Sequence, residues 1–243
     1  MVRVLRNDKM AHLKRITAPR TWPVERKTKK WAIRPSLGPH PIEKSVPLLM
    51  VVRDYLGYAD TARGARSIIN SRDVMVDGVV RTDLKFPCGL MDVISIPKVG
   101  ENYRVLFDTR GIIRLVPIKP DEAKWKLCRI ENKTVLKGGK MQLNLHDGRN
   151  ILTDENYKTG DSLKISIPDQ KILESVPFEK GSLAMVTGGS HVGEIAEIEG
   201  VEITRSSKPN IVNLKGFSTI EPYVFPVGKD KPLIKLPEVK IYG

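Results

Sequence analysis

Val74-Met75-Val76-Asp77-Gly78-Val79-Val80-Arg81 is the stretch from which the fold is read. Asp-Gly between two β-branched runs is the strongest short hairpin signal, because both turn residues must accept a positive φ. Met91 to Ile96 supplies a closing strand. Upstream, Ser45 and Pro47 open a helix, since proline is tolerated in a first turn. Leu48, Leu49, Val52 and Leu56 form its apolar stripe, and Gly57 ends it. Asp60 or Thr61 caps a second helix. There Ala62, Ala65 and Ile69 share one face, and Arg63, Arg66 and Asn70 share the neighbouring one. Residues 45–96 therefore read as a compact unit of helix, helix and hairpin.

Downstream the pattern is β almost throughout. In residues 97–175 the runs Tyr103–Phe107, Ile112–Ile118, Lys126–Ile130, Met141–Leu145 and Leu163–Ile167 are β-rich. Turn signals such as Lys137-Gly138-Gly139 and Asp147-Gly148-Arg149 separate them, with a short helix at Pro120–Lys124. Regularly spaced short strands predict a small barrel or barrel-like sheet. Residues 176–243 are β as well. In them a hydrophobic strand, Leu183-Ala184-Met185-Val186, leads into the glycine-rich loop Gly188-Gly189-Ser190-His191-Val192-Gly193, and a second strand follows. Pro222, Pro226, Pro232 and Pro237 predict an extended C-terminal end that wraps back over the body.

Charge is distributed unevenly. Residues 1–44 hold twelve Lys/Arg against three Asp/Glu, which is +9 of the net +13; the remaining 199 residues hold 29 against 25. Trp22 and Trp31 interrupt the charges, and Pro19, Pro23, Pro35, Pro39 and Pro41 forbid a long helix. This is an extended basic arm that does not fold alone. Released counterions favour a polyanion partner for it, and interspersed rings suit a folded RNA surface on which bases can stack. The basic face of the second helix, followed by Ser71-Arg72-Asp73, suits the phosphates and 2′-hydroxyls of an RNA groove.

Several chemistries are excluded. No stretch approaches eighteen consecutive apolar residues, so no membrane span is expected. Cys88 and Cys128 are isolated, which predicts a reducing compartment and two buried small hydrophobes. His12, His40, His146 and His191 lack the paired spacing of a zinc site, so no metal is expected. Gly188-Gly189 and Gly193 are not followed by Gly-Lys-Ser/Thr or by a helix, so no nucleotide or other cofactor is expected. His146-Asp147 reads as a β-turn with capping hydrogen bonds rather than as a general acid–base pair, because no nucleophile motif accompanies it.

Residues 45–96 resemble the small RNA-binding domain of bacterial ribosomal protein S-four, bacterial-type tyrosyl-tRNA synthetases and many pseudouridine synthases. The matching pattern is helix, basic helix, Val76-Asp77-Gly78, then Gly89-Leu90-Met91-Asp92-Val93-Ile94. Residues 181–198 resemble the KOW motif. The combination is more specific. The pattern His12-Leu13-Lys14-Arg15-x-x-Ala18-Pro19, Trp22, Arg34-Pro35-x-x-Gly38-Pro39-His40 is similar to the N-terminal signature of the archaeal and eukaryotic small-subunit ribosomal protein S-four-e family. So are Arg53-Asp54-x-Leu56, Lys126-Leu127-Cys128 and Gln142-Leu143-Asn144-Leu145-His146-Asp147-Gly148. The resemblance covers essentially the whole chain, and its length suits an archaeal member.

The resemblance implies a mostly β protein in four parts. These are a basic arm (1–44) ordered only against the particle, an S-four-type RNA-binding domain (45–96), a central β domain (97–175), and a KOW-type, SH3-like barrel with a C-terminal extension (176–243). It implies a structural, non-catalytic constituent of the small ribosomal subunit, in the cytoplasm, bound to ribosomal RNA and neighbouring ribosomal proteins. No membrane, small-molecule substrate or self-association is implied. The expected RNA contacts on the arm are Lys14, Arg15, Arg20, Trp22, Lys27, Lys29, Lys30, Trp31, Arg34 and His40. Beyond it they are Arg53, Arg63, Arg66, Asn70, Arg72, Arg81, Arg149, Gly188 and His191. Gly64 departs from the family pattern inside the second helix and makes Arg66 the firmer contact of the two helix arginines. An RNA-modifying enzyme would need a catalytic Arg-Leu-Asp and a large extra domain, and neither is present. A KOW-type transcription or RNA-processing factor would carry a polymerase-packing domain in place of the arm.

Overall fold

The structure is a computed structural model that describes residues 12–237. Expectations for residues 1–11 of the arm and 238–243 of the C-terminal end lie outside the described residues. Strands β1 (Leu13–Lys14) and β2 (Trp31–Ala32) form an antiparallel ribbon with Lys14 opposite Trp31. Strand β3 (Ser45–Pro47) follows, then α1 (Leu48–Met50), which runs on into a π-helical turn, Val51–Tyr55. The helix expected to open at Ser45 thus begins three residues later. Val46 instead pairs with Cys88 from a segment far along the chain. Leu48 through Val52 are all buried, so this helix is enclosed rather than amphipathic. Gly57, at φ 69°, terminates it as expected.

Helix α2 (Ala62–Asn70) is capped by Thr61, whose Oγ1 accepts from Gly64 N at 3.1 Å. Ala65 and Ile69 are buried, whereas Ala62 is exposed, so the apolar face is narrower than the spacing implied. The hairpin forms as read. Strands β4 (Met75–Val76) and β5 (Val79–Val80) flank Asp77 at φ 51° and Gly78 at φ 70°, both left-handed. Gly78 is required twice over, because a Cβ there would lie 2.9 Å from Ile167 Cγ2.

After β6 (Pro87–Gly89, the partner of β3) come β7 (Val93–Ile96), β8 (Glu101–Phe107) and β9 (Ile113–Pro117). They complete a five-stranded antiparallel sheet in the order β5-β4-β7-β8-β9. This sheet runs through residue 97, where the sequence reading divided the chain. A 3-10 turn at Glu122–Lys124 stands where the short helix was read. The second sheet comprises β10 (Trp125–Val135), β11 (Met141–Leu145), β12 (Asn150–Thr153), β13 (Ser162–Ser166) and β14 (Ile172–Val176), ordered β12-β11-β10-β13-β14. The third comprises β15 (Leu183–Val186), β16 (Ile195–Glu202), β17 (Ile211–Leu214), β18 (Phe217–Ile220) and β19 (Val224–Gly228), ordered β18-β17-β16-β15-β19. Register shifts at Ile130/Asn132 and Ile198/Gly200 interrupt the ladders of the long strands β10 and β16, as β-bulges do where a sheet bends. Among the described residues no ladder joins the outer strands, so each of these sheets is open in its hydrogen bonding where a barrel was expected.

The arm is not independent of the body, which corrects the expectation that it is ordered only against a particle. Ala18 and Trp22 enter the main core with Val46, Leu106, Leu127 and Phe225. Trp22 Nε1 donates to Ser45 O at 2.7 Å, and Thr21 O accepts from Ile113 N at 2.8 Å. Arg26 braces the arm internally by donating to Ala18 O (2.7 Å) and Pro19 O (3.0 Å). The physical reason is the tryptophan itself, a large apolar payload that prefers the core to water. Two smaller cores lie within the second sheet, around Leu143 and Leu163, and the third, around Val186 and Val212. The chain then returns over the body, with Leu233 N on Val227 O at 2.9 Å and Ile234 in the main core. Cys88 and Cys128 are buried free thiols. No helix among the described residues is long and apolar enough to cross a membrane.

Candidate nucleic-acid interface

Helix α2 carries an exposed basic face. Arg63, Arg66 and Asn70 all point to solvent, as does Arg72 just beyond the helix. None of the three arginines forms an ion pair among the described residues, so their charge is not neutralised locally. The helix ends in a turn with Ser71 Oγ on Ser67 O and Arg72 N on Ile69 O; Arg72 itself adopts φ 63°. Gly64 is explained by packing, since a Cβ there would meet Ala59 Cβ at 3.2 Å. The glycine lets the second helix approach the residues before its own cap.

The β1–β2 ribbon assembles a second basic and aromatic group. Trp31 is 50% exposed, with Lys30 Nζ 5.2 Å from its ring centre and the His12 ring 5.6 Å away. Lys14 faces it in register. Arg20, Lys27 and Lys29 are exposed. Arg15 is half-buried and donates to Glu25 O, while Arg34 is half-buried. Trp22 and His40 are corrected: both side chains are buried in the body, so neither can stack on or contact RNA. Arg53 is engaged by Asp54 through a two-pronged pair at 3.0 and 2.8 Å.

The most concentrated polar chemistry lies inside the molecule. Lys126 Nζ, almost fully buried, meets Asp77 Oδ2 at 2.7 Å, Asp92 Oδ1 at 3.2 Å and Asp147 Oδ2 at 2.5 Å. Arg149 reaches Asp77 at 2.6 Å and Asp147 at 3.2 Å, and His40 Nε2 lies 3.1 Å from Asp92. Asp77 Oδ1 accepts from Val93 N, and Asp92 Oδ2 from Gly89 N. Gly89 must lack a side chain, because a Cβ would sit 2.2 Å from the His40 ring. Burial disfavours the charge on Lys126, yet the acidic groups around it hold its pKa well above the ordinary value. Burial likewise opposes ionisation of Asp92, but the charges of His40 and Lys126 hold it well below the carboxylate range. Burial and the charge of Asp92 push Asp77 up. His40 pays for burial too, but Asp92 raises its pKa overall. The cluster ties the arm, the hairpin sheet and the second sheet together through paired charges.

His146 and Asp147 are parts of a turn, as read. Gly148 N donates to Leu145 O at 3.0 Å, and Arg149 N to Asp147 Oδ1 at 3.2 Å. His146 Nδ1 accepts from Arg129 N at 3.2 Å, which assigns the proton to Nε2, 3.2 Å from Leu90 O. Burial pushes its pKa down to about 3, so it is neutral. Cys128, His146 and Asp147 bring donor atoms within 4.8 Å of one another. They do not make a metal site, because both imidazole nitrogens are engaged and the Lys126 ammonium already sits against Asp147.

Arg81 is half-buried over the Phe86 ring, 4.6 Å from its centre. Gly188 lies against Tyr223, where a Cβ would meet the ring at 2.6 Å, and His191 stacks on Phe217 at 4.2 Å. Sequence reasoning missed Lys126, Asp92 and Arg129. Arg129 donates to Pro222 O at 2.9 Å and Val224 O at 2.7 Å, fastening the second sheet to the third. The available signal was Lys126 and Arg129 within a strand otherwise made of Leu127, Cys128 and Ile130; charges in so apolar a run need buried partners.

Comparisons with known proteins place this geometry in a family. Residues 10–43 match the RS4NT (NUC023) domain, 46–94 the S4 domain, and 99–172 the Ribosomal family S4e. The small ribosomal subunit protein eS4 of Methanothermobacter thermautotrophicus is 54% identical over 231 residues, covering 93% of this chain and 96% of the relative. That of Archaeoglobus fulgidus is 50% identical over 232 residues, covering 93% and 97%. The crystal structure of the 30S ribosomal protein S4e from Thermoplasma acidophilum is 39% identical, with a TM-score of 0.69, and covers 76% of this chain and 96% of that one.

Proposed function

The chain belongs to the ribosomal S4e family, and on that premise we propose that it is a structural, non-catalytic constituent of the small ribosomal subunit that binds ribosomal RNA. The observation that carries the reading is the exposed face of α2, where Arg63, Arg66 and Arg72 stand without carboxylate partners among the described residues, inside the span that matches the S4 domain. Unpaired arginines on a helix face hold phosphate oxygens and position a duplex or folded groove without reading its sequence. Lys30, Trp31 and Lys14 on the ribbon add a second contact region, in which the ring offers a stacking surface.

In this reading residues 45–96 act as the RNA-binding domain, extended by β8 and β9 at the start of the central region 97–175. The rest of that region supplies the spacer sheet, and 176–243 act as a KOW-type unit whose loop at Gly188 and His191 lies at the RNA or at a neighbouring protein. Residues 12–44 of the arm contribute basic side chains from a docked position rather than as a free tail. A role in the ribosome implies a cytoplasmic location and ribosomal-protein neighbours, without self-association. Sedimentation of a cell lysate tests this. The chain is expected to co-migrate with small subunits and to remain with them through several hundred millimolar salt. A chain found at the top of the gradient, or stripped by mild salt, refutes the assignment as an integral ribosomal protein.

A further inference from the structure

A cleft of about 340 Å³ opens between the Gly38-Pro39 loop, the hairpin end at Arg81 and Phe86, and the Gly148-Arg149 turn, with Lys126 among its lining residues. Three carboxylates and three cations line it, and His40 adds a further partner behind Asp92. Asp77, Asp92 and Asp147 are matched by Lys126, Arg149 and His40. Arg81 is surplus: it forms no ion pair among the described residues, and its buried Nε–H has no acceptor. Arg149 also lines the cleft; it pairs with Asp147 through Nε and with Asp77 through Nη2, and its Nη1 has no ion pair among the described residues.

We propose that this cleft binds a phosphate group, seated between the guanidinium groups of Arg81 and Arg149. An anion entering it meets the guanidinium groups of Arg81 and Arg149, while the carboxylate oxygens already face their own cations. The Arg81 guanidinium lies over the Phe86 ring, 4.6 Å from its centre, which restrains it beside the cleft, and a guanidinium can donate to two phosphate oxygens. Buried donors without an acceptor are costly, and an oxyanion removes that cost. The two arginines come from different sheets, so a bound phosphate bridges them. The phosphate comes from an RNA phosphodiester or from free inorganic phosphate; the first source rests on the RNA-binding reading above, the second does not.

Nitrogen-15 NMR of the full chain, titrated with inorganic phosphate at constant ionic strength, tests the site. Saturating shifts are expected at the Arg81 and Arg149 Nε–H signals and at the Gly148 amide. Arg81→Gln should weaken the phosphate titration at least tenfold, and Arg81→Lys should weaken it less, keeping the charge but losing the fork. Arg110→Gln, outside the cleft, should leave it unchanged. In a second arm, Arg81→Gln lowers affinity for small-subunit RNA when a phosphodiester is the occupant, and leaves it unchanged when free phosphate is. Shifts that spread evenly over the basic surface without saturating, or a phosphate titration insensitive to Arg81→Gln, overturn the proposal. A wild-type chain that fills the cleft with phosphate but binds no RNA sinks the functional reading and keeps the site.

Discussion

Trp22 is 2% exposed and hydrogen-bonded to Ser45 O, whereas Trp31 is 50% exposed beside Lys30. The two share a basic, proline-rich context, and nothing in their neighbouring residues tells them apart. Their substitutions are expected to separate cleanly. Trp22→Ala removes a core side chain and should cost about 3–5 kcal/mol in urea unfolding. Trp31→Ala should leave the unfolding midpoint within error but weaken RNA binding by about 1–3 kcal/mol, the usual worth of one base stacked on a ring. Equal stability losses for both would mean that Trp31 is packed rather than presented. The fate of Asp77 was equally hidden. Its turn role was legible because Asp-Gly chemistry is local. Its pairing with Lys126 and Arg149 was not, because both partners stand far along the chain.

At the scale of elements, α2 forms where its pattern predicts, with Ala62 left out of its buried face, and its basic face is the part of the interface most accessible to test. The double variant Arg63→Gln/Arg66→Gln should lower the slope of log affinity against log salt by about one to two, since each lost phosphate contact is worth at most about 0.9. Thermal unfolding should not move, because neither side chain has a hydrogen-bond or ion-pair partner among the described residues. An unchanged slope would remove this face from the interface. Deleting the whole arm is a poorer probe, because it also pulls Trp22 and Ala18 from the core. Strand β11 and the 75–80 hairpin were legible for the same reason as the turn: alternation and turn residues act within a few positions. Strand β3 was not. Ser45–Pro47 looks like a helix start and becomes a strand only because Pro87–Gly89 lies beside it. The arm was misread in the same way, as charge and proline are local signals and a docking site for tryptophan is not.

For the whole molecule, the cluster around Lys126 and the neighbouring His146 should set the dependence of stability on pH. His40 has a raised pKa in the fold, so its contribution is fully present below the ordinary histidine value and is lost as pH rises through the folded value. His146 is held neutral, with its pKa pushed down to about 3, so its contribution is present above the ordinary value and is lost as pH falls toward 3. The two rings lie 5.9 Å apart and act in opposite directions. Urea midpoints measured at pH 5, 6.5 and 8 should therefore be highest at the middle value, which is close to the unperturbed histidine pKa of about 6.5. His40→Asn should flatten the alkaline side only. A monotonic trend across the three values would show that one of these histidines does not sit as described.

The three open sheets bear on the life of the chain before it reaches a partner. Outer strands β5, β12 and β14 expose Val79, Val80, Leu152 and Leu173 beside unpaired backbone groups. Such edges are templates for pairing with another copy. The net charge of +13 is what keeps free copies apart in dilute solution, and it repels less as salt rises. The same salt that strips the chain from RNA thus also removes its protection against itself. A newly made copy is safest when it is captured by its polyanion at once, and surplus copies are the ones that precipitate.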